Sequence, residues 1–264
     1  MGFDEQADDF DKQAGLSHAA GVIIAQAIMD CARDATDPLV LDIGAGTGAI
    51  GYHLASFPVR YLGLDLSRPM LEVFRTWLNQ SAGRALLARA DCSRPWPIAD
   101  HTVSVVFASR VAHLLDADHV VRQVLRVCKS GGHFILGRVS RDSQSFRSRL
   151  QRYKRARLAE HGIATCEGAR QIEQILQKCA RSGCTRLAAK PVAEWSRTMT
   201  PQQALGAWEA KPLLSSSVRA EQLDAGVRAD ILSSIRDWAQ RALGDLDQPR
   251  SFRECYWIEG ARVN

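Results

Sequence analysis

The feature that most constrains the fold is an apolar run that ends in an aspartate and three alternating glycines. It reads Leu-Val-Leu-Asp-Ile-Gly-Ala-Gly-Thr-Gly-Ala-Ile over residues 39–50. Residues 39–43 predict a buried strand, the glycines a tight turn, and Ala49 the start of a helix. Glycine suits such a turn because it tolerates a positive φ and presents no Cβ to a ligand. With free N–H groups at the helix N-terminus, the stretch favours a nucleotide-like ligand.

The glycine string alone does not identify that ligand, since it also satisfies the dinucleotide pattern G-x-G-x-x-G/A. Three later features narrow the choice. Asp65 ends the next predicted strand, where a carboxylate would accept bonds from ribose hydroxyls. Asp91 and Cys92 close a third strand and precede a proline-stiffened loop at 93–97 that is suited to covering an adenine. Residues 127–136 read as a helix end, a Gly-Gly turn and a fifth strand.

Together these motifs resemble the class I S-adenosylmethionine-dependent methyltransferases, in particular the small-molecule group of the methyltransferase type 11 kind. That group has motifs of the form LDxGxGTG, GxDxSxxML, DxxxxPxxxxxFD and RVLKPGG. Here they correspond to residues 41–48, 63–71, 91–97 and 126–132. The resemblance covers roughly residues 10–140, and four motifs in the right order make it specific. It implies S-adenosylmethionine as cofactor and methyl transfer to an O, N or C atom of a small metabolite or natural-product intermediate.

The alternation of elements predicts an α/β fold, a Rossmann-like doubly wound sheet that is mostly parallel. The predicted elements are helix 17–32, strand 39–43, helix 47–55, strand 60–64, helix 67–79, strand 86–89, strand 102–107, helix 118–129, strand 133–139, helix 143–160, helix 167–182, a broken strand 185–188 and 192–198, helix 201–209, helix 218–243 and strand 252–258. Helix 17–32 is expected to bury Ala20, Ile23, Ile24, Ala27 and Ile28, and helix 218–243 to turn Ile231, Ile235, Trp238 and Ala242 inward.

The resemblance also implies a domain organisation. Residues 1–35 would form a helical lid, 36–140 the cofactor-binding core, and 141–264 the remainder of the core with inserted cap helices at about 141–165 and 200–245. The last strand would pair antiparallel at the sheet edge. Residues 10–16 look like the family's F/Y-D-x-R-A-G-L segment with Gln13 at the arginine position, so Lys12, Gln13 or backbone amides are the open choices for binding the methionine carboxylate.

Composition indicates a protein of the reducing cytoplasm. The 264-residue chain has a net charge of +5 and seven cysteines without a C-x-x-C pair, so neither a disulfide framework nor a zinc site is expected. No metal is required by the proposed chemistry. No apolar run approaches the ~18 residues that span a bilayer. We expect no membrane association, a small-molecule acceptor as partner, and a monomer or homodimer.

The candidate cofactor-binding residues lie where the predicted parallel strands end, the edge at which ligands bind in wound sheets. By the resemblance, Asp65 would accept from both ribose hydroxyls and Asp91 from the adenine amino group, while the backbone N–H of Cys92 meets a ring nitrogen. Asp42 would orient the glycine turn. The full set is Asp42, Gly44, Ala45, Gly46, Gly48, Asp65, Leu66, Met70, Asp91, Cys92 and Ser109.

One candidate catalytic residue follows the fourth strand, where this family places groups near the transferred methyl. His113 could serve as a general base for a hydroxyl or amine acceptor, because an imidazole pKa near ~6.5 permits this at neutral pH. A purely structural histidine is the competing interpretation. Arg110 could bind a substrate carboxylate or pair on the surface. Large apolar side chains in the second half of the chain favour an apolar or aromatic acceptor only weakly. They are the aromatic residues Tyr153, Trp195, Trp208, Trp238 and Trp257, together with Met199.

Four other functions stay open. Residues 141–190 hold twelve Lys/Arg against four Asp/Glu, which suggests an RNA or tRNA methyltransferase, although no RNA-binding module appears and nucleic acid is not the favoured partner. The cofactor could instead be cyclised or donate its aminocarboxypropyl arm. A nicotinamide-dependent oxidoreductase is disfavoured by the Asp91 loop, the Lys-Ser-Gly-Gly turn at 129–132 and the lack of a Tyr-x-x-x-Lys pair. A catalytically idle cofactor-binding protein is the last option.

Overall fold

The computed structural model describes residues 16–33, 35–79, 85–163, 168–210 and 224–264. The helices are α1 (His18–Met29), α2 (Gly51–Leu54), α3 (Arg68–Leu78), α4 (Ala117–Val127), α5 (Phe146–Glu160), α6 (Gly168–Arg181), α7 (Pro201–Glu209) and α8 (Ala225–Leu243). The strands are β1 (Leu39–Ile43), β2 (Arg60–Asp65), β3 (Ala85–Arg89), β4 (Val103–Ser109), β5 (Cys128–Arg141), β6 (Thr185–Met199) and β7 (Arg250–Arg262). The predicted contacts of Lys12 and Gln13 lie outside the described residues.

The seven strands form one sheet in the order β3-β2-β1-β4-β5-β7-β6. The pairings β1–β2, β1–β4, β2–β3 and β4–β5 are parallel. Strand β7 runs antiparallel to β6, since Asn264 meets Thr185 near one end and Ser251 meets Thr198 near the other. The predicted wound sheet with an antiparallel last strand is therefore confirmed.

The chain divides into two compact units. Among the described residues, the larger unit comprises those within 16–139, 168–194 and 255–264, and the smaller unit comprises those within 140–163 and 195–254. In the larger unit, strands β1 and β4 bury nearly every side chain, as expected for strands paired on both sides. In the smaller unit, helices α5, α7 and α8 supply most of a separate apolar core.

Helix starts were predictable because most carry a side-chain cap. Ser17 accepts a hydrogen bond from Ala20 N at the start of α1, and Ser67 accepts one from Met70 N at the start of α3. Such oxygens satisfy amide groups that have no partner within the helix. A cap also begins α4, where Asp116 accepts from His119 N. No helix among the described residues is long and apolar enough to cross a membrane.

Two strands differ from their predicted form. Strand β5 begins at Cys128 and passes through the Gly-Gly pair, which was predicted to be a separate turn. Gly131 takes a φ of 78° there and its N–H donates to Val263 O, so the pair is an irregularity inside a paired strand. The predicted break in β6 is also wrong, since the strand is continuous across Pro191. Strand β6 is the last in the sheet order, and an edge strand tolerates a missing N–H.

Some helix details were also wrong. Ile23 is 50% exposed rather than buried in α1, whose buried face includes Ala25 instead. In α8 the buried positions are Ala239 and Leu243 in place of Trp238 and Ala242. Apolar residues adjoining the buried stripe made the register ambiguous, because both choices keep a helical spacing. The predicted residues 218–223 of this helix lie outside the described part of the chain.

Candidate active site

The glycine turn after β1 depends on backbone conformations and close contacts that side chains would prevent. Gly44, Gly46 and Gly48 have φ values of 70°, 56° and 84°, all in the left-handed region. A Cβ on Gly44 would lie 2.7 Å from Val111 Cγ2, and one on Gly48 would overlap the Phe74 ring. A Cβ on Gly46 would meet only Gly44 O, at 4.0 Å. The outer glycines are thus needed for packing, whereas the middle one faces open space.

The amide groups of this turn are already hydrogen-bonded within the chain. Gly44 N and Ala45 N both donate to Leu64 O, and Gly48 N donates to Ala45 O. Gly46 N donates to the Asp65 carboxylate at 2.8 Å. The amides of these four turn residues are therefore not free, whereas the prediction of free N–H groups concerned the N-terminus of the helix that follows. The helix that follows is also shorter than predicted, since α2 covers only Gly51–Leu54. It begins late because Gly48 itself has a left-handed φ.

Asp65, at the end of β2, joins the glycine turn to the start of α3. One carboxylate oxygen accepts from Gly46 N and the other from Ser67 N, each at 2.8 Å. A carboxylate can accept about four hydrogen bonds, so these two amide bonds alone do not saturate it. Next to it, Leu66 is 58% exposed, whereas Met70 is buried against the core. The arrangement holds one carboxylate in a fixed orientation with an exposed apolar side chain beside it.

Asp42 is a buried acid within β1. Its Oδ2 accepts a 2.6 Å hydrogen bond from the Tyr61 hydroxyl, and its Oδ1 is buried without a partner among the described residues. Burial raises the pKa of Asp42 to about 7; the nearby Asp65 charge adds to the increase and the Tyr61 bond opposes it. An unpaired buried carboxylate oxygen is unusual and is a place where a ligand donor or a cation would be stabilised.

This shift makes folding stability depend on pH. The folded chain holds a proton on Asp42 that an unfolded chain loses above its pKa of 3.8, so stability should fall as pH rises from about 4 to about 7. We expect Asp42→Asn to remove this fall and to exceed the wild-type free energy of unfolding at pH 8 by up to about 4 kcal/mol. Urea unfolding at pH 4.5 and pH 8 measures the difference.

The control for that experiment is Asp91→Asn. The pKa of Asp91 is lowered by hydrogen bonds from the side chain and backbone of Ser93, so this variant should retain the wild-type loss of stability between the two pH values. Parallel pH curves for wild type and Asp42→Asn would contradict the assignment.

The loop after β3 brings Asp91 and Cys92 to the same edge of the sheet. Asp91 Oδ1 accepts from Ser93 N at 2.9 Å and from Ser93 Oγ at 2.6 Å. The buried Cys92 thiol interacts with the backbone of Gly44, and burial raises the pKa of this thiol to about 12. Trp96, within this loop, is buried and donates to Cys92 O. Cys92 therefore links the start of the loop to the glycine turn.

The segment after β4 carries the candidate catalytic histidine. Ser109 Oγ forms a 2.6 Å hydrogen bond with the buried Tyr256 hydroxyl. Arg110 then takes a φ of 61°, which is uncommon for a non-glycine residue, while its N–H donates to Gly137 O. His113 lies half-buried in a 3₁₀ turn; burial and the neighbouring Arg110 charge lower its pKa. No carboxylate is hydrogen-bonded to His113 among the residues that the structure describes.

Three contacts of this edge were not foreseen from sequence. Val111 packs against Gly44, Tyr61 bonds to Asp42, and Tyr256 bonds to Ser109. Tyr61 lies on the neighbouring strand, and alternation along β2 puts it on the same face of the sheet as Gly63, the residue paired with Asp42. Tyr256 is far along the chain and comes from the antiparallel strand, so no local pattern points to it.

The comparisons with known proteins agree with this geometry. Residues 40–132 match a family model described as a methyltransferase domain. An uncharacterized methyltransferase of Mycobacterium tuberculosis is 32% identical over 105 residues, which are 40% of this chain and 41% of that protein. The chain thus spans about two-fifths of the length of the curated relatives it matches.

Two solved structures share the fold. The YcgJ protein of Bacillus subtilis has a TM-score of 0.56 at 18% identity, over 94% of this chain and 100% of that one. Geranyl diphosphate C-methyltransferase of Streptomyces coelicolor, in complex with Mg²⁺, geranyl diphosphate and S-adenosyl-L-homocysteine, has a TM-score of 0.53 at 15% identity, over 97% and 84%. Identities this low establish the fold alone.

Proposed function

We propose, on the premise that residues 40–132 form a domain of the class I S-adenosylmethionine-dependent methyltransferase family, that the protein transfers a methyl group to a small metabolite. The acceptor atom is an O, N or C atom. Residues 1–35 are included in the proposal as a lid over the cofactor. The S-adenosyl-L-homocysteine in the Streptomyces coelicolor structure supports the choice of cofactor.

The observation that carries the proposal is that the backbone amides of the glycine turn are hydrogen-bonded within the chain. A dinucleotide-binding site holds its pyrophosphate on free amides at a helix N-terminus. Here the amides of Gly44, Ala45, Gly46 and Gly48 are bonded within the chain, and α2 has only four residues. The turn therefore suits a ligand without phosphates. This favours a sulfonium nucleoside over a nicotinamide dinucleotide.

The remaining residues fit such a ligand. The open side of Gly46 allows close approach to the backbone, and the carboxylate of Asp65, held beside that glycine, is the group that we assign to the ribose hydroxyls. Leu66 offers an exposed apolar surface for the adenine, which Asp91 and Cys92 border. The unpaired oxygen of Asp42 provides an acceptor for the cationic methionine end. Ala45, Gly48, Met70 and Ser109 support these groups through packing and backbone position.

The bound cofactor would supply a methyl group that its sulfonium charge already activates for in-line displacement. The protein must then align the acceptor, a contribution worth up to ~7–11 kcal/mol in ideal cases. We assign proton removal from a hydroxyl or amine acceptor to His113. Its lowered pKa keeps the imidazole neutral at physiological pH, which is the form that accepts a proton.

His113→Ala should lower kcat by roughly 100-fold while the cofactor Kd changes little. In the wild type, kcat should rise with pH through a pKa below 6.5 and stay level above it. His113→Gln keeps a polar side chain that does not titrate, so the rise should vanish in this variant as well. Equal kcat values in wild type and both variants would return His113 to a structural role.

The nucleic-acid alternative loses support from the contacts of α5. Arg149 donates to Ala242 O, Arg152 to Ser143 O and Arg157 to Ser234 Oγ. Lys154 is buried at 8% exposure. Four of the twelve basic side chains that suggested an RNA surface are therefore bonded within the protein or buried, and such cations are less available to a phosphate backbone.

A binding experiment and a labelling experiment test the proposal. Calorimetry should detect S-adenosylmethionine and S-adenosylhomocysteine but not nicotinamide dinucleotides. A metabolite screen with methyl-labelled cofactor should then yield a product heavier by one methyl unit. Label retained on methylthioadenosine would indicate aminocarboxypropyl transfer, and binding of nicotinamide dinucleotides alone would reject the proposal. Binding of the methyl donor without turnover of any acceptor would favour an idle cofactor-binding protein.

A further inference from the structure

A group of basic side chains, which we call the basic cluster, lies inside the smaller unit. It consists of Arg141, Arg147, Lys154 and Arg197. Lys154 Nζ lies 4.5 Å from the centre of the Trp208 ring, and Arg147 Cζ lies 5.8 Å from it. Two cations therefore contact one indole, an attraction that strengthens when water is excluded.

The positions of Lys154 and Arg147 are unusual for surface-helix residues. Phe146, Leu150, Lys154 and Leu158 are the buried residues of α5, at a regular spacing of four. Lys154 thus occupies a position on the apolar stripe of the helix. Arg147 lies two turns before it on the same face. Lysine is rarely found at such a buried position, so this placement brings a positive charge into the apolar side of the helix.

One carboxylate compensates part of the charge. Glu254 is fully buried and accepts from Arg141 Nε at 2.5 Å and from Trp195 Nε1 at 3.0 Å. Arg197 Nη1 lies 3.7 Å from its other oxygen. Among these five charged groups there are four cations and one anion, and Glu254 is largely committed to Arg141 and Arg197.

Arg147 is the member that this carboxylate leaves unsatisfied. Its Nη1 is buried and has no hydrogen-bond partner among the described residues. Burial and, to a smaller extent, the charges of Arg141 and Arg197 lower the pKa of Arg147 to about 10, although the Glu254 charge opposes this shift. The pKa of Lys154 is lowered to about 8 by burial and then by Arg147 and Arg155. Each cation thus lowers the pKa of its neighbours by disfavouring their charged form. A bound anion would favour the charged forms and raise these pKa values.

We propose that the basic cluster binds the phosphate or diphosphate group of a small organic anion. Together with Glu254, the cluster has an excess of three positive charges. Such an excess matches a multiply charged group better than a single carboxylate. The planar guanidinium of Arg147 can donate two parallel bonds to phosphate oxygens. Arg141 and Arg197, with 35% and 20% of their side chains exposed, connect the cluster to solvent.

A small anion suits this cluster better than a nucleic-acid backbone does. A nucleic-acid backbone contacts cations that project from the surface, whereas Arg147 Nη1 is buried and Lys154 is 8% exposed, behind the partly exposed side chains of the cluster. The adjoining apolar core includes Tyr153, stacked on Trp238 with ring centroids 4.8 Å apart. An anionic head with an apolar body is the ligand class that these surroundings favour.

Calorimetry on the full-length protein with pyrophosphate and with inorganic phosphate tests the proposal, with titrations into sodium chloride of equal ionic strength as the blank. We expect pyrophosphate to bind more tightly than phosphate. Arg147→Gln and Lys154→Met should each weaken pyrophosphate binding by about 10-fold or more. Arg152→Gln is the matched control. Arg152 lies on the same helix, but it is exposed and, among the described residues, hydrogen-bonded to Ser143 O. This variant should change pyrophosphate affinity less than 2-fold.

If Arg147→Gln or Lys154→Met fails to fold by circular dichroism, Arg197→Gln replaces it, because that side chain lies at the exposed border of the cluster. Its pyrophosphate affinity should fall by at least about 3-fold. Absence of pyrophosphate binding to the wild type at millimolar concentration overturns the proposal. An equal loss in Arg152→Gln, or displacement of pyrophosphate by single-stranded RNA, also overturns it. None of these outcomes depends on S-adenosylmethionine, so they are separate from the proposed function.

Discussion

Gly48→Ala should prevent stable folding, whereas Gly46→Ala should fold and lose cofactor affinity. Both glycines have a left-handed φ, which costs an alanine about 1–2 kcal/mol. At Gly48 the new methyl group would also overlap the fully buried Phe74 ring, and overpacking adds roughly 1–3 kcal/mol or more. The sum is a large part of the 5–15 kcal/mol that stabilises a typical domain.

At Gly46 the same methyl group meets no side chain, so only the conformational cost applies. It would instead enter the space that we assign to the cofactor. We expect a stability loss of about 1–2 kcal/mol and a decrease in S-adenosylmethionine affinity of at least 30-fold, on the order of 2 kcal/mol of lost contact and steric overlap. Thermal unfolding and calorimetry on the two variants separate these effects. Normal cofactor affinity in Gly46→Ala would place the ligand elsewhere.

The second large effect is expected for Asp65→Ala, which should weaken S-adenosylmethionine binding by about 100-fold or more. Hydrogen bonds to a charged group contribute about 1.5–3 kcal/mol each, and two ribose hydroxyls would lose theirs. The free energy of unfolding should also decrease, since Gly46 N and Ser67 N lose their hydrogen-bond acceptor. A loss of roughly 2 kcal/mol of folding stability is expected from two unsatisfied amides.

Asp116→Ala is the matched control for Asp65→Ala. Asp116 also accepts a backbone N–H at the start of a helix, so its removal should cost about 1 kcal/mol of stability. It should leave cofactor affinity unchanged. If Asp65→Ala and Asp116→Ala lower stability to a similar extent and neither alters calorimetric affinity, Asp65 has only a structural role.

The sequence predicted the elements of this fold where pattern and capping agree. Ser17 and Ser67 begin their helices at the expected residues, and the strands from β1 to β4 follow apolar runs of suitable length. Errors occurred where distant contacts decide. The Gly-Gly pair of β5 is held in a strand by Val263, a residue more than a hundred positions later. No local pattern carries that information.

In the candidate site, too, the local sequence pattern predicted some features, whereas distant contacts determined others. The order of Asp42, Asp65 and Asp91 along the chain was enough to place them at one edge of the sheet. Their partners were not predictable in the same way: Tyr61 and Tyr256 are fixed by strand order. The basic cluster illustrates the limit most clearly, since the helical pattern gave no sign that Lys154 is buried beside Leu150 and Leu158.

The internally bonded glycine turn has a consequence for how this protein could change its ligand specificity over evolution. Because the backbone there is completed by bonds to Leu64 and Asp65, its shape is established during folding and is independent of what later occupies it. Selection on ligand preference therefore has little freedom within the turn. The variable determinants should be the side chains that surround it, such as Leu66 and Arg110, which can be exchanged without disturbing the scaffold.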